Sequence, residues 1–183
     1  ILRNASRIIF INSDYLDELL VKYLPTKDHS NIRAKSVIVP NGIDSFWFSN
    51  IGKPKSLDDG SLKLVYVGDF SPNKNVSLLI KSAIIYARKY PQKKVNLTLV
   101  GGGGSAGRGE PDPSVKKALH MPKPANLTID APGRVNDKIS LMIFYRNADI
   151  FIMTSRKETF GLVYIEALSQ GLPIIYTKGQ GVS

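Results

Sequence analysis

Two carboxylates dominate the chemistry that this sequence offers. Glu158 and Glu166 are separated by seven residues, Thr159-Phe-Gly-Leu-Val-Tyr-Ile165. Glu158 falls in the loop after an expected strand at Asp149 to Met153, and Glu166 falls inside the following helix, Gly161 to Gln170. That helix is apolar nearly all round and is therefore expected to be buried. Glu166 is its lone charge and shares a stripe with Leu162, Ile165 and Ser169. A carboxylate placed there needs hydrogen-bond donors, which either ligand hydroxyls or a protein partner can supply. Residue types alone leave both open. Phe160, Gly161 and Leu162 sit at the helix start, where free amides and the helix dipole favour an anion and glycine permits close approach. A sugar, a diphosphate and a ribose could lie in that order along the loop and helix.

A second constellation is Val65-Tyr-Val-Gly-Asp-Phe-Ser-Pro-Asn-Lys-Asn75. It reads as a strand ending at Gly68, a turn, Lys74 and a helix. Lys74 can reach over the carboxyl edge of an open sheet, where such sheets bind ligands, and neutralise phosphate there. Taken alone it also reads as a surface lysine. Gly133-Arg134-Val135 follows another expected strand and could place backbone at the same edge, or form an ordinary turn with a solvated arginine. A further pattern, Gly102-x-Gly104-x-x-Gly107 with Asp130 downstream, formally matches a dinucleotide-binding fingerprint. Arg108-Gly-Glu-Pro-Asp-Pro follows it, which is poor material for an immediate helix, so a flexible surface loop is the favoured reading.

These groups need a scaffold. Short apolar runs at Ile8 to Ile11, Val37 to Val39, Leu62 to Val67, Val95 to Val100, Leu127 to Ile129, Ile150 to Met153 and Leu172 to Tyr176 read as buried strands. Helical spacing appears from an N-cap at Ser13 to Leu24, from Val76 to Tyr90 before Pro91, from Asp137 to Asn147 and from Gly161 to Gln170, with a weaker helix at Pro113 to His120. Strand–helix alternation predicts an α/β domain, a doubly wound parallel sheet covered on both faces. Residues 1–35 read as an appended βα unit and 36–183 as the main domain. Ser49 to Gly60 reads as a loop. With Ile1 at the start and no helix after the last strand, a fragment truncated at both ends is expected.

Composition narrows the partners. There are no cysteines and only two histidines, His29 and His120, so disulfides and thiolate metal sites are excluded and a histidine metal centre is not expected. The formal charge of +10 suits nucleic acid, an anionic membrane surface or a phosphorylated small molecule. The basic residues are scattered, and no basic stripe interleaved with exposed aromatics marks a nucleic-acid module.

Pro40-Asn-Gly-Ile-Asp44, Val67-Gly68 with Lys74-Asn75, Leu99-Val-Gly101, Gly133-Arg-Val135, Asn147-Ala-Asp149, the Glu158/Glu166 pair and Gly171-Leu-Pro173 occur in one order. Together they resemble the C-terminal, donor-binding domain of family 4 retaining glycosyltransferases, which have the two-domain GT-B fold. The resemblance covers about residues 37–182. It implies a nucleotide-diphosphate sugar donor and transfer with retention at the anomeric carbon. It implies Glu158 on the donor sugar, with Lys74 the other residue at the reacting centre. Glu166 would bind the ribose, and the Phe160, Gly161 and Leu162 amides with Lys74 would hold the diphosphate. Gly68 would line the site, and Arg134 and Val135 would lie near the base. It implies no metal and no cofactor. It implies a sugar or lipid-linked acceptor held mainly by an absent N-terminal domain, so that this chain is inactive alone. A cytoplasmic setting in polysaccharide biosynthesis is implied too, and the charge allows peripheral attachment to anionic lipid. Rival readings are an NAD-binding oxidoreductase domain and a basic or non-catalytic α/β module. One position departs from the family pattern: Asp69 stands where an arginine facing phosphate is usual.

Overall fold

The computed structural model describes residues 2–56 and 60–181. They divide into two compact units, Ile1–Gly42 and Ile43–Ser183. In the first, strands β1 (Ile8–Phe10) and β2 (Ser36–Ile38) pair in parallel around helices α1 (Ser13–Tyr23) and α2 (Thr26–Ala34). Its small core is Phe10, Leu16, Leu20 and Ile32. The N-cap of α1 is Asn12 rather than the expected Ser13; the Asn12 side chain accepts from the Tyr15 amide at 2.7 Å. Asparagine is as good a cap as serine, and position decided between them.

The second unit opens with the short helix α3 (Ser45–Ser49), capped by Asp44, and continues through β3 (Ser61–Gly68), α4 (Val76–Lys89), β4 (Lys94–Gly101), α5 (Pro113–Leu119), β5 (Leu127–Gly133), α6 (Lys138–Asn147), β6 (Ile150–Met153), α7 (Leu162–Ser169) and β7 (Ile174–Tyr176). The expected loop Ser49 to Gly60 has no helix or strand over 50–56, and residues 57–59 lie outside the described set. The five strands form one parallel sheet in the order β5-β4-β3-β6-β7. Strand β3 is buried over four consecutive residues, Leu64 to Val67, as a parallel strand covered on both faces must be. Helix α4 packs against α5, and α6 and α7 share the ring cluster of Tyr145, Phe151 and Tyr164. The central helix α4 buries Val76, Leu79, Ile80, Ala83, Ile84 and Ala87, and each large side chain removed from water stabilises the unit by about 1.5–3 kcal/mol.

This order has a switch point. From β3 the chain winds outward to β4 and β5, then returns across β3 to β6 and winds the other way. The crevice beyond the carboxyl ends of β3 and β6 is where open sheets of this kind bind ligands. Helix α7 departs from expectation: Tyr164 and Ala167 are buried, but Leu162 and Leu168 are 37% and 50% exposed. An apolar sequence on all sides does not bury a helix whose outer face lacks a neighbour among the described residues.

Candidate functional site

The two loops flanking the switch point are tied together. The Arg156 amide donates to the Asn73 carbonyl at 2.7 Å, and the Thr154 hydroxyl to the Asn75 carbonyl at 3.0 Å. Between these links the Lys74 ammonium meets the Glu158 carboxylate in an ion pair, Nζ to Oε2, with the side chains only 20% and 9% exposed. The pair thus ties together residues 84 positions apart in sequence. Other bonds orient Glu158: its amide donates to Gln180 Oε1 at 2.9 Å, its Oε1 accepts from the Thr159 amide at 3.1 Å, and its carbonyl accepts from the Gly181 amide at 3.0 Å. The turn after β7 therefore wraps around this carboxylate.

Helix α7 begins beside it. Gly161 is its N-cap, with φ 73° and ψ 62°, and among the described residues no side chain caps the first turn. The conformation is left-handed, and a Cβ at Gly161 would lie 2.4 Å from the Tyr164 ring and 3.3 Å from Glu158 Cγ. Glycine is required twice over, for backbone angle and for space. The result is an uncapped amide turn next to the paired carboxylate, with Phe160 half-buried and Leu162 exposed at its rim.

Glu166, one turn further along α7, has a protein partner. The Tyr145 hydroxyl, on α6, donates to Glu166 Oε2 at 3.0 Å. Tyr145 is fully buried against Trp47 and Phe151 at ring separations of 5.7 and 6.0 Å. Burial raises the Glu166 carboxyl above the usual carboxylate range, and the Tyr145 bond offsets part of that rise. Burial, with the neighbouring Glu166 charge, also holds the Tyr145 hydroxyl well above its ordinary value, so tyrosine stays the donor. Of the two possibilities left open by the sequence, a protein donor takes one oxygen. The sequence held no local signal for the pairing, because Tyr145 reads as one more core position of α6.

The remaining residues gather at a cleft of about 210 Å³ over the ends of β3, β4 and β5. Gly68 and Asp69 form one side, Gly101, Gly102, Ala106 and Gly107 a second, and Arg134 and Val135 a third. The glycine run does not open a helix. A single 3₁₀ turn at Ser105–Gly107 is followed by irregular chain with Gly109 at φ 66°, and α5 starts only at Pro113. A dinucleotide fingerprint needs its helix directly after the glycines, so that pattern is not realised. Asp69 is turned toward backbone: Oδ1 accepts from the Ser71 amide and Oδ2 from the Ala106 amide, both at 3.0 Å. Arg156 and Lys178 are exposed, and neither forms an ion pair among the described residues. Among the described residues no group of three or more His, Cys, Asp or Glu side chains could hold a metal ion. No described helix is long and apolar enough to cross a membrane.

Known proteins match this chain in sequence and in fold. The family model described as "Glycosyl transferases group 1" matches residues 48–183. A D-inositol 3-phosphate glycosyltransferase of Arthrobacter sp. (strain FB24) is 27% identical over 188 residues, covering 100% of this chain and 42% of that protein. The chain thus spans about two fifths of the length of the first curated relatives it matches. Among solved structures, a mutant of S. aureus TarM in complex with Fondaparinux, alpha-GlcNAc-glycerol and UDP superposes with a TM-score of 0.62 at 17% identity, covering 99% of this chain and 32% of that one. A trehalose-6-phosphate synthase, studied for glycosyltransfer with retention, superposes with a TM-score of 0.60 at 16% identity, covering 80% and 38%. At such identities the two structures establish a shared fold.

Proposed function

The chain belongs to the glycosyl transferases group 1 family, and on that premise we propose that it holds the nucleotide-diphosphate sugar donor for transfer with retention at the anomeric carbon. The observation that carries this reading is the Lys74–Glu158 pair bridging the switch point beside the uncapped first turn of α7. A cation and a helix start with no described side-chain cap, next to one carboxylate, suit a ligand that is anionic at one end and hydroxylated at the other.

In the reaction the bond from the anomeric carbon to the β-phosphate oxygen breaks, a bond to an acceptor hydroxyl oxygen forms on the same face of the sugar, and the acceptor's proton passes to the departing diphosphate. Negative charge grows on the departing diphosphate. Lys74 and the Phe160, Gly161 and Leu162 amides are the groups that would meet it, preorganised rather than recruited from water. In binding the phosphates, Lys74 leaves Glu158 free to accept from sugar hydroxyls. Glu158 positions the sugar and does not attack it. Glu166 keeps its Tyr145 bond and offers its other oxygen to the ribose. Arg134, Val135 and Gly68 line the cleft for the base. The acceptor falls to a further domain, in keeping with the share of its relatives that this chain spans. TarM with UDP supports the donor class, and the trehalose-6-phosphate synthase supports the stereochemistry, each as a fold relative.

Calorimetric titration with UDP, GDP, ADP and their sugar conjugates, without metal, tests the proposal. We expect saturable binding of one nucleoside diphosphate, weakened at least about tenfold in Lys74→Ala and in Glu166→Ala, as loss of a charge-assisted contact implies. Binding of NAD alone, or wild-type affinity in both variants, would sink it.

A further inference from the structure

We propose that Asp69 is a positioning residue for nucleoside recognition, holding the 101–109 glycine run as one wall of the base cleft. The inference rests on the donor reading above.

That run is poorly suited to holding itself in place. Six of its residues have positive φ, namely Gly101, Gly102, Gly103, Ala106, Gly107 and Gly109. Glycine loses more conformational freedom on ordering than any other residue and brings no side chain to pack. Its order comes from hydrogen bonds. Backbone supplies Phe70 N–H to the Gly103 carbonyl at 2.9 Å, Gly107 N–H to Gly104 at 2.9 Å and Gly104 N–H to Gly109 at 3.1 Å. The side-chain anchor is Asp69, which reaches Ala106, a non-glycine residue at φ 55°. Such a conformation persists only where neighbours over-determine it.

Asp69 is itself braced. Its second oxygen takes the Ser71 amide, and its carbonyl accepts from the buried Tyr66 hydroxyl at 2.5 Å. The clasp therefore joins the end of β3 to the tip of the run. Its effect reaches Arg134, whose guanidinium lies against Gly107: a Cβ there would come within 2.8 Å of Nη1. Asp69, Ala106, Gly107 and Arg134 all line the same cleft. A carboxylate whose two oxygens both accept backbone amides is held off the diphosphate. Asp69 thus stands in for the phosphate-facing arginine of the family pattern by doing a different job.

Asp69→Asn separates the effects, because an amide accepts with one atom and presents N–H to the other donor. Hydrogen exchange and calorimetry would be read together on wild type, Asp69→Asn and Asp69→Arg, with UDP, GDP, ADP and inorganic pyrophosphate as probes. In the Asn variant we expect exchange over residues 102–108 to quicken about tenfold while β4 amides stay unchanged. The nucleoside diphosphate that binds wild type should weaken about tenfold, and pyrophosphate, which engages Lys74 and the α7 turn, should not. Unchanged exchange in the run, equal weakening of both ligands, or tighter nucleoside diphosphate binding by Asp69→Arg overturns the proposal. If the Asn variant fails to fold, Asp69→Ser, with one short acceptor, carries the same readouts. If wild type binds none of the nucleotides, the donor reading falls, and exchange alone still decides whether Asp69 holds the run.

Discussion

At the scale of single residues, the groups with chemistry to do were visible as residue types, and their partners were not. Glu166 stands out as the lone charge of an apolar helix, Glu158 by its spacing from it, and Lys74 by its place just after a strand end. That Lys74 meets Glu158, Tyr145 meets Glu166 and Asp69 meets Ala106 depends on sheet order, which no local pattern encodes. The Lys74–Glu158 pair has a measurable consequence. In the free protein each charge is partly neutralised by the other, so on the proposed donor reading phosphate competes with Glu158 for the ammonium. Glu158→Gln should tighten pyrophosphate and nucleoside diphosphate about threefold, the scale of a partly exposed ion pair. The same change should weaken the sugar conjugate relative to its parent diphosphate. Parallel titrations of the two ligands would reveal the opposite signs; a fall in both would mean that Glu158 holds Lys74 in place rather than competing for it.

At the scale of elements, the seven strands were legible as short β-branched runs, but the burial expected of them holds best for the central β3 and β4; β1, β2 and β7 leave Ile9, Val37, Ile38 and Ile175 exposed. Helices were legible where apolar spacing was regular, as in α4. Helix α2 was not read: its nine residues are polar nearly all round, and Ile32 is the buried one. Helix α3 was also missed, since five residues are too few to show a period. The expected burial of α7 failed because composition does not reveal whether a neighbour covers the outer face. The ends of β3 and β4 set a different constraint. A Cβ at Gly101 would lie 1.8 Å from the Gly68 carbonyl oxygen, backbone against backbone, where no rotamer can yield. Gly101→Ala should cost about 3 kcal/mol and lower the melting midpoint by roughly 10 °C. Gly102→Ala, with nothing within 4 Å of the added atom, gives the matched comparison, because its backbone is also at positive φ (148°); equal losses in the two would assign the cost to dihedral strain instead of the contact.

At the scale of the whole chain, every residue assigned to the site belongs to the unit Ile43–Ser183. A chain shortened to residues 43–183 should therefore bind the preferred nucleoside diphosphate within about threefold of the full 183 residues, by the same calorimetry. A loss of tenfold or more would show that the first 42 residues shape the donor site. The crevice also has a history within each folding event. Strands β3 and β4 are neighbours in sequence and can pair early, whereas β3 meets β6 only after β4, α5, β5 and α6 have been gathered in. Closing the longer loop carries the larger entropic cost and tends to come later. The Lys74–Glu158 ion pair spans the longer closure, so on the proposed reading a chain that has assembled only the parallel β3–α4–β4 unit lacks the pair and cannot capture the donor. If the donor reading holds, ligand competence requires the completed topology.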